Sequence, residues 1–413
     1  MKILMLSSTF PYPPTRGGTQ VRTFNLMKYL TQRHHVTLVT QRAEDVTDEE
    51  VEALRAWVEE LAIFPRPGGP KNDGIWGKVK RFSNFMREGT PPSVLHNYVP
   101  EMQQWVDRYV QTLITTDVAS EFVITCEHSA NEIYVRPEWQ AQVNSVVDIH
   151  SSVYATCRQQ LETGTSEKQW RDRLQLPLLR QYERDYCAKF SAIAVTTDED
   201  RQQIQEFTPQ SKIKVIPNGV DLSRFTYRPS DPGGKQIAFV GAMDNLPNID
   251  AVRFFALEVF PLVRLRYPDA TLMLVGARPG SEILELGKQP GVTVTGQVPS
   301  VVEYLHKSAV CVVPMRTGYG IKNKTLEAMA AGTPVVASDR GLEGLRVDGE
   351  GVPLRALRAN QVSEYVSAIS RLFEQRGLRE KLAKNARSLV ESEFTWEVAG
   401  KRYEKLLQSL LSE

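Results

Sequence analysis

Short, β-rich apolar runs recur along the chain, each followed by a stretch with helical spacing. KILMLSS, HVTLVT, LAIFP, FVITCEH, SVVDIHSS, SAIAVTT and IKVIP come first; QIAFVGA, TLMLVGA, VTVTGQV, AVCVVPM and PVVAS follow. Continuous apolar runs belong in strands covered on both faces, and their alternation with helices points to parallel sheets. Both sets open alike, with a strand, a Gly- and Pro-bearing loop, then a helix (FNLMKYLTQ and AVRFFALEVFPLV). Between them IPNGVDLSRFTYRPSDPGGK, residues 216–235, has the composition of a linker. A single core stops growing near roughly 250–300 residues, and this chain has 413. Two doubly wound, Rossmann-like α/β domains are therefore expected: 1–220, joined by the amphipathic closing helix 396–413, and 221–395.

In open parallel sheets, ligands bind beyond the C-terminal ends of the strands, so the loops after the runs are where chemistry belongs. After the first run, Gly17 and Gly18 precede a helix, where bare backbone N–H groups can approach a phosphate or sugar. The same loop carries Arg16, Gln20 and Arg22. It is not a GxGxxG loop, and no acidic residue closes VTLVT, which argues against a dinucleotide dehydrogenase. After the fifth run, Asp148 and His150 sit at a strand tip; from the residues alone, a structural and a functional histidine are equally good accounts. Glu127 and His128 after the fourth run form a weaker rival pair. Asp198 and Asp200 have metal-binding spacing, but they open a helix, where carboxylates cap and favour the positive pole. No metal site is expected.

The stretch GYGIKNKTLEAMAAGTPVVAS holds a short helix that starts near Asn323 or Thr325 and is stopped by Gly332. Lys322 and Lys324 sit at its positive end, where a cation costs about 0.3–1 kcal/mol. Arg316, Gly318, Gly320 and the outward-pointing N–H groups complete the ingredients of an anion site, and a bound diphosphate would make the lysines favourable. Solvated surface lysines are the plainer account. Glu327 in the first turn either caps the helix or accepts hydrogen bonds from a ribose diol.

Lys and Arg total 50 against 49 Asp and Glu, which argues against nucleic acid as partner. The four cysteines, Cys126, Cys157, Cys187 and Cys311, show neither disulfide nor zinc spacing. No apolar run reaches about 18 residues, and the opening apolar stretch is too short for a signal peptide; the cytoplasm is the expected location. Residues 75–89 place Trp76, Val79 and Phe82 on one helical face with Lys78, Lys80, Arg81 and Arg87 elsewhere. That pattern fits weak membrane-surface association, although a packed helix with a solvated basic side explains it more simply.

PNGVDLSRF, LEAMAAGTPVVASDRGLEG, the N-terminal RGGTQVRTFNLMKYL and the closing FTWE resemble retaining glycosyltransferases of family 4, in both halves and in the right order. The resemblance implies the GT-B fold, two Rossmann-like domains facing across a cleft. It also implies a nucleoside diphosphate sugar, best a UDP-sugar, as donor and a sugar, sugar phosphate or glycan as acceptor. No cofactor or metal is implied. By the same resemblance His150 is catalytic and Gly17 and Gly18 face the donor diphosphate, which the residues themselves assign also to Arg316, Lys322 and Lys324; Gly318, Tyr319 and Gly320 are expected at the donor sugar. Glu327 holds the ribose, the backbone near Val298 reads the base, and Arg16, Gln20 and Arg22 face the acceptor. Two departures stand out: Tyr319 replaces a glutamate common in the family, and the loop GAMDNLPN lacks the usual cations. Arg316, Lys322 and Lys324 are then expected to supply the missing charge. An epimerase, a phosphorylase or a non-catalytic nucleotide-sugar binder on the same fold are the alternatives, and the chain could be a monomer or a homodimer.

Overall fold

The computed structural model describes residues 1–14, 17–68, 82, 83, 85–87, 89–116, 121–150, 152–164, 166 and 168–412. The chain divides into two compact units, Met1–Pro217 with Ala399–Glu413, and Asn218–Val398.

The first unit is built on β1 (Lys2–Ser7), β2 (His35–Arg42), β3 (Glu60–Pro65), β4 (Phe122–Glu127), β5 (Asn144–Ile149), β6 (Ala192–Val195) and β7 (Ile213–Val215). These pair in parallel in the order β3-β2-β1-β4-β5-β6-β7. Strand β4 is buried at every residue, as an apolar run covered on both faces must be. The second unit has β8 (Gln236–Val240), β9 (Thr271–Val275), β10 (Val292–Gly296), β11 (Val310–Val313), β12 (Val335–Ala337) and β13 (Leu357–Arg358), in the order β10-β9-β8-β11-β12-β13. Every expected run is a strand of one of two doubly wound sheets. Only β13, two residues long, leaves no apolar run to read.

In each unit the strand order reverses once, between β1 and β4 and between β8 and β11. Helix Gly18–Leu30 leaves the first switch point and helix Asn323–Ala330 the second. The loops after β8 and β9 meet backbone to backbone. A Cβ on Gly276 would lie 1.8 Å from the Gly241 carbonyl oxygen, so only glycine fits there.

Helix Trp396–Leu411 packs on the first unit from Ala399 onward. Gly400 lies flat on the Tyr29 ring, where a Cβ would stand 2.2 Å from Cγ. Glu404 accepts from the Tyr29 hydroxyl (3.0 Å) and meets His34 Nε2 (2.7 Å), while Tyr403 is fully buried. Thr197 and Asp200 form a reciprocal cap at the start of helix Asp198–Gln205, the structural role weighed against metal binding. All four cysteines are free and buried. Of the basic stretch 75–89, residues 75–81, 84 and 88 lie outside the described residues; Phe85 is buried against Cys157 and Leu179.

Candidate functional site

At the second switch point, helix Asn323–Ala330 begins with Lys322 as N-cap residue and no side chain capping it. Its first N–H groups thus face outward, a place where negative charge is favoured. The three expected cations are not equivalent. Arg316 is bound through Nε to Asp250 (2.9 Å), with a second contact through Nη2, and lies over the Phe254 ring. Lys322 is buried; its ammonium meets Glu343 Oε2 at 3.0 Å and the carbonyl of Gly320. It ties the glycine loop down. Arg316 is therefore paired with Asp250, and Lys322 shares the Glu343 carboxylate with Arg340, which corrects the expectation that all three cations stand free to meet a diphosphate.

Lys324 differs. Its Nζ contacts the Asn248 side-chain oxygen and Met315 Sδ (3.7 Å) and sits 4.8 Å from the centre of the Phe239 ring. Among the described residues no carboxylate lies within ion-pair distance of it. Its surroundings keep only a partly exposed edge, and burial, then the Lys322 charge, push the ammonium down to about 7. Gly241 presents its backbone to this group, since a Cβ there would meet Nζ at 3.1 Å. Glu327, one turn on, has its carboxyl pushed up by burial against the pull of Arg224 and Lys324. Gly318 and Gly320 have φ of 112° and 67°, the left-handed region. Val298 lies in the loop after β10 and packs partly against the core. Asn248 is a contributor that the sequence did not single out.

At the first switch point the charges are closed on themselves. Arg22 donates to Asp148 twice, Nε to Oδ2 at 2.6 Å and Nη2 to Oδ1 at 2.8 Å. Arg22 is 1% exposed and Asp148 fully buried. Burial would raise the Asp148 carboxyl, but Arg22 and His150 overcome it and hold it well below the usual range. His150 Nε2 lies 3.0 Å from Asp148 Oδ2. Nε2 donates to that ionised carboxylate, and Nδ1 has no hydrogen-bond partner among the described residues. Glu127 pairs with Asp148 across β4 and β5 and accepts from the Tyr403 hydroxyl at 3.0 Å. Burial, then Asp148, raise its carboxyl to about 8. One guanidinium cannot balance two carboxylates, so the second holds its proton.

His128 follows β4 with φ 87°, accepts at Nδ1 from the Ala130 N–H (3.1 Å), and stands edge-on to His150 with ring centres 5.5 Å apart. Such a conformation in a non-glycine residue costs about 1–3 kcal/mol and clusters at functional sites. Burial, then His150, lower its imidazole to about 3, so it is neutral. Glu127, Asp148 and His150 bring potential ligand atoms within 4.8 Å of one another. Both Asp148 oxygens are taken by Arg22, whose charge occupies the place a cation would fill; the donor set fits an ion-pair network better than a metal centre.

The acceptor expectations change most. Arg22 is buried against Asp148 and is not on the surface. Gln20 donates to the Phe10 carbonyl at 2.9 Å and ties its own loop. Arg16 lies outside the described residues. Gly17 and Gly18 are exposed at the start of helix Gly18–Leu30, and a Cβ on Gly17 would find nothing nearer than Gln20 Oε1 at 3.6 Å. Its openness therefore owes nothing to crowding by its own chain.

Comparison with known proteins identifies the family. Residues 234–375 match the family model described as glycosyl transferases group 1, and residues 17–219 that of a glycosyl transferase 4-like domain. The D-inositol 3-phosphate glycosyltransferase of Actinosynnema mirum is 31% identical over 245 residues, 52% of this chain and 56% of that protein. The chain spans little more than half the length of the first curated relatives it matches. Among solved structures, the sucrose-phosphate synthase of Thermosynechococcus elongatus superposes with a TM-score of 0.65 at 18% identity, covering 100% of both chains. HepE from Anabaena, in complex with UDP, gives 0.65 at 15% identity over 99% of this chain and 100% of that one. These two likenesses are of fold. Among the described residues no helix is long and apolar enough to cross a membrane.

Proposed function

The chain belongs to the glycosyl transferases of group 1 with a glycosyl transferase 4-like N-terminal domain, and from that premise we propose that it moves a hexosyl group from a nucleoside diphosphate sugar to a sugar or glycan acceptor. One observation carries this reading: Lys324 is a half-buried ammonium at a helix N-terminus, on a topological switch point, with no carboxylate within ion-pair distance among the described residues and only Glu327 pulling on it from one turn away. A diphosphate balances it. The UDP complex of the Anabaena neighbour supports a uridine nucleotide, and the names of the inositol 3-phosphate glycosyltransferase and sucrose-phosphate synthase support a phosphorylated acceptor.

The second unit then holds the donor. Glu327 takes the ribose hydroxyls, the backbone near Val298 takes the base, and Gly318, Tyr319 and Gly320 line the sugar. As the glycosidic bond breaks, charge collects on the leaving phosphate, where Lys324 and the first N–H groups of its helix stabilise it. The first unit supplies His150, whose Nδ1 has no partner among the described residues and meets a donor-sugar hydroxyl in this account, while Asp148 and Arg22 fix the ring. Gly17 and Gly18 offer bare N–H groups to a phosphate or sugar. No metal is required in this account, and retention follows if the leaving oxygen takes the acceptor's proton on the same face.

Lys324→Met tests the proposal. Losing a charge-assisted hydrogen bond should weaken UDP binding by roughly ten- to a hundredfold, as read by titration calorimetry; unchanged affinity removes the donor site from this helix. The sign of the pH effect is also fixed. An anion favours the charged ammonium, so binding takes up a proton and affinity falls as pH rises above about 7. Product analysis with donor alone separates transfer from epimerisation, which needs no acceptor.

A further inference from the structure

Helix Gln169–Cys187 in the first unit buries one face through Asp172, Leu179, Tyr182, Glu183, Tyr186 and Cys187. Its opposite face is unusual for a solvent face. Trp170 is 69% exposed and Leu174 57%, and exposed Arg173, Pro177, Arg180 and Arg184 continue the same stripe at helical spacing. Arg173 and Arg180 have no carboxylate within ion-pair distance among the described residues; Arg184 has Asp185 at 2.9 Å. Beside the stripe opens a cavity of about 620 Å³ lined by Tyr154, Leu176, Pro177 and Phe207 together with Arg180, Gln181 and Arg184.

We infer that this face is a docking surface for an anionic lipid bilayer. Arg173 and Arg180 leave the face positive, and it is interleaved with a tryptophan and a leucine that water does not favour. An amphipathic helix lying flat in a headgroup layer uses both at once, arginines to the phosphates and apolar side chains to the acyl boundary. An anionic polymer would use the arginines alone and leave Trp170 and Leu174 without a role. The inference is independent of the transfer reaction, because it concerns only a surface of the first unit.

Co-sedimentation of the full chain with vesicles tests it. Binding is expected to phosphatidylglycerol-containing vesicles and not to pure phosphatidylcholine. Arg173→Gln with Arg180→Gln should weaken it by roughly twentyfold or more, and Trp170→Ser with Leu174→Ser by about tenfold or more. Both pairs face solvent, so melting and UDP affinity should stay at the wild-type values; two separate pairs keep the test decisive if one folds poorly. Wild-type protein that ignores anionic vesicles, binds neutral ones equally well, or is retained by dextran sulfate but not by vesicles would overturn the inference. So would variants that sediment like the wild type.

Discussion

At the first switch point Arg22 meets both oxygens of Asp148, at 2.6 and 2.8 Å; at the second, Lys324 meets an amide oxygen and a thioether. Both cations are largely out of water. Arg22 is balanced by its own chain and is part of the scaffold that holds His150. Lys324 is not, and under the proposed function its counter-charge arrives with the substrate. A buried charge with a partner stabilises the fold that buries it; one without a partner destabilises the empty protein in favour of whatever anion binds.

Substitutions can break or sharpen that contrast. Arg22→Met should do most damage, about 3–5 kcal/mol, because it strands the Asp148 carboxylate in the interior; urea unfolding measures it. Lys324→Met should have the opposite sign on stability, leaving the empty protein as stable or more so while nucleotide affinity drops. If both variants unfold alike, the distinction between the two sites is lost. Gly400→Ala forces a methyl into the Tyr29 ring and should cost about 1–3 kcal/mol in the first unit, seen as a lower urea midpoint. The smallest effect near neutral pH belongs to Glu127→Gln, which copies the protonated side chain. The wild-type carboxyl titrates near 8 in the fold against 4.5 as its ordinary value. The fold therefore binds that proton more tightly, and its contribution to stability declines as pH rises through that window. The glutamine variant should lose that slope, as urea midpoints across the same range would show.

Strands with continuous apolar runs were legible because burial on both faces leaves no other pattern. β13 was not, since two residues carry no periodicity. Asp148 and His150 were found because a strand tip in a parallel sheet is a place fixed by topology. The partners that set their chemistry were hidden: Arg22 sits in a helix with nothing local to announce it, and Tyr403 arrives from the far side of the second unit. Lys322 and Lys324 look alike as letters. Lys322 is the extended residue before the helix and turns toward Glu343, whereas Lys324 lies in the helix's first turn and faces the Gly241 loop; no pairwise pattern in the sequence encodes that difference. Asn248 could have been noticed as a polar residue just after a glycine-bearing strand end.

The excursion of the chain out of the first unit and back again has a consequence during synthesis. A ribosome must complete the whole second unit before Tyr403 and Gly400 emerge to cover Glu127 and Tyr29. Nascent domains generally fold as they appear, yet here the earlier one must wait with a carboxyl and an aromatic ring uncovered. A polypeptide stalled after Val398 should expose that seam to chaperones and proteases while its later-made half is already closed.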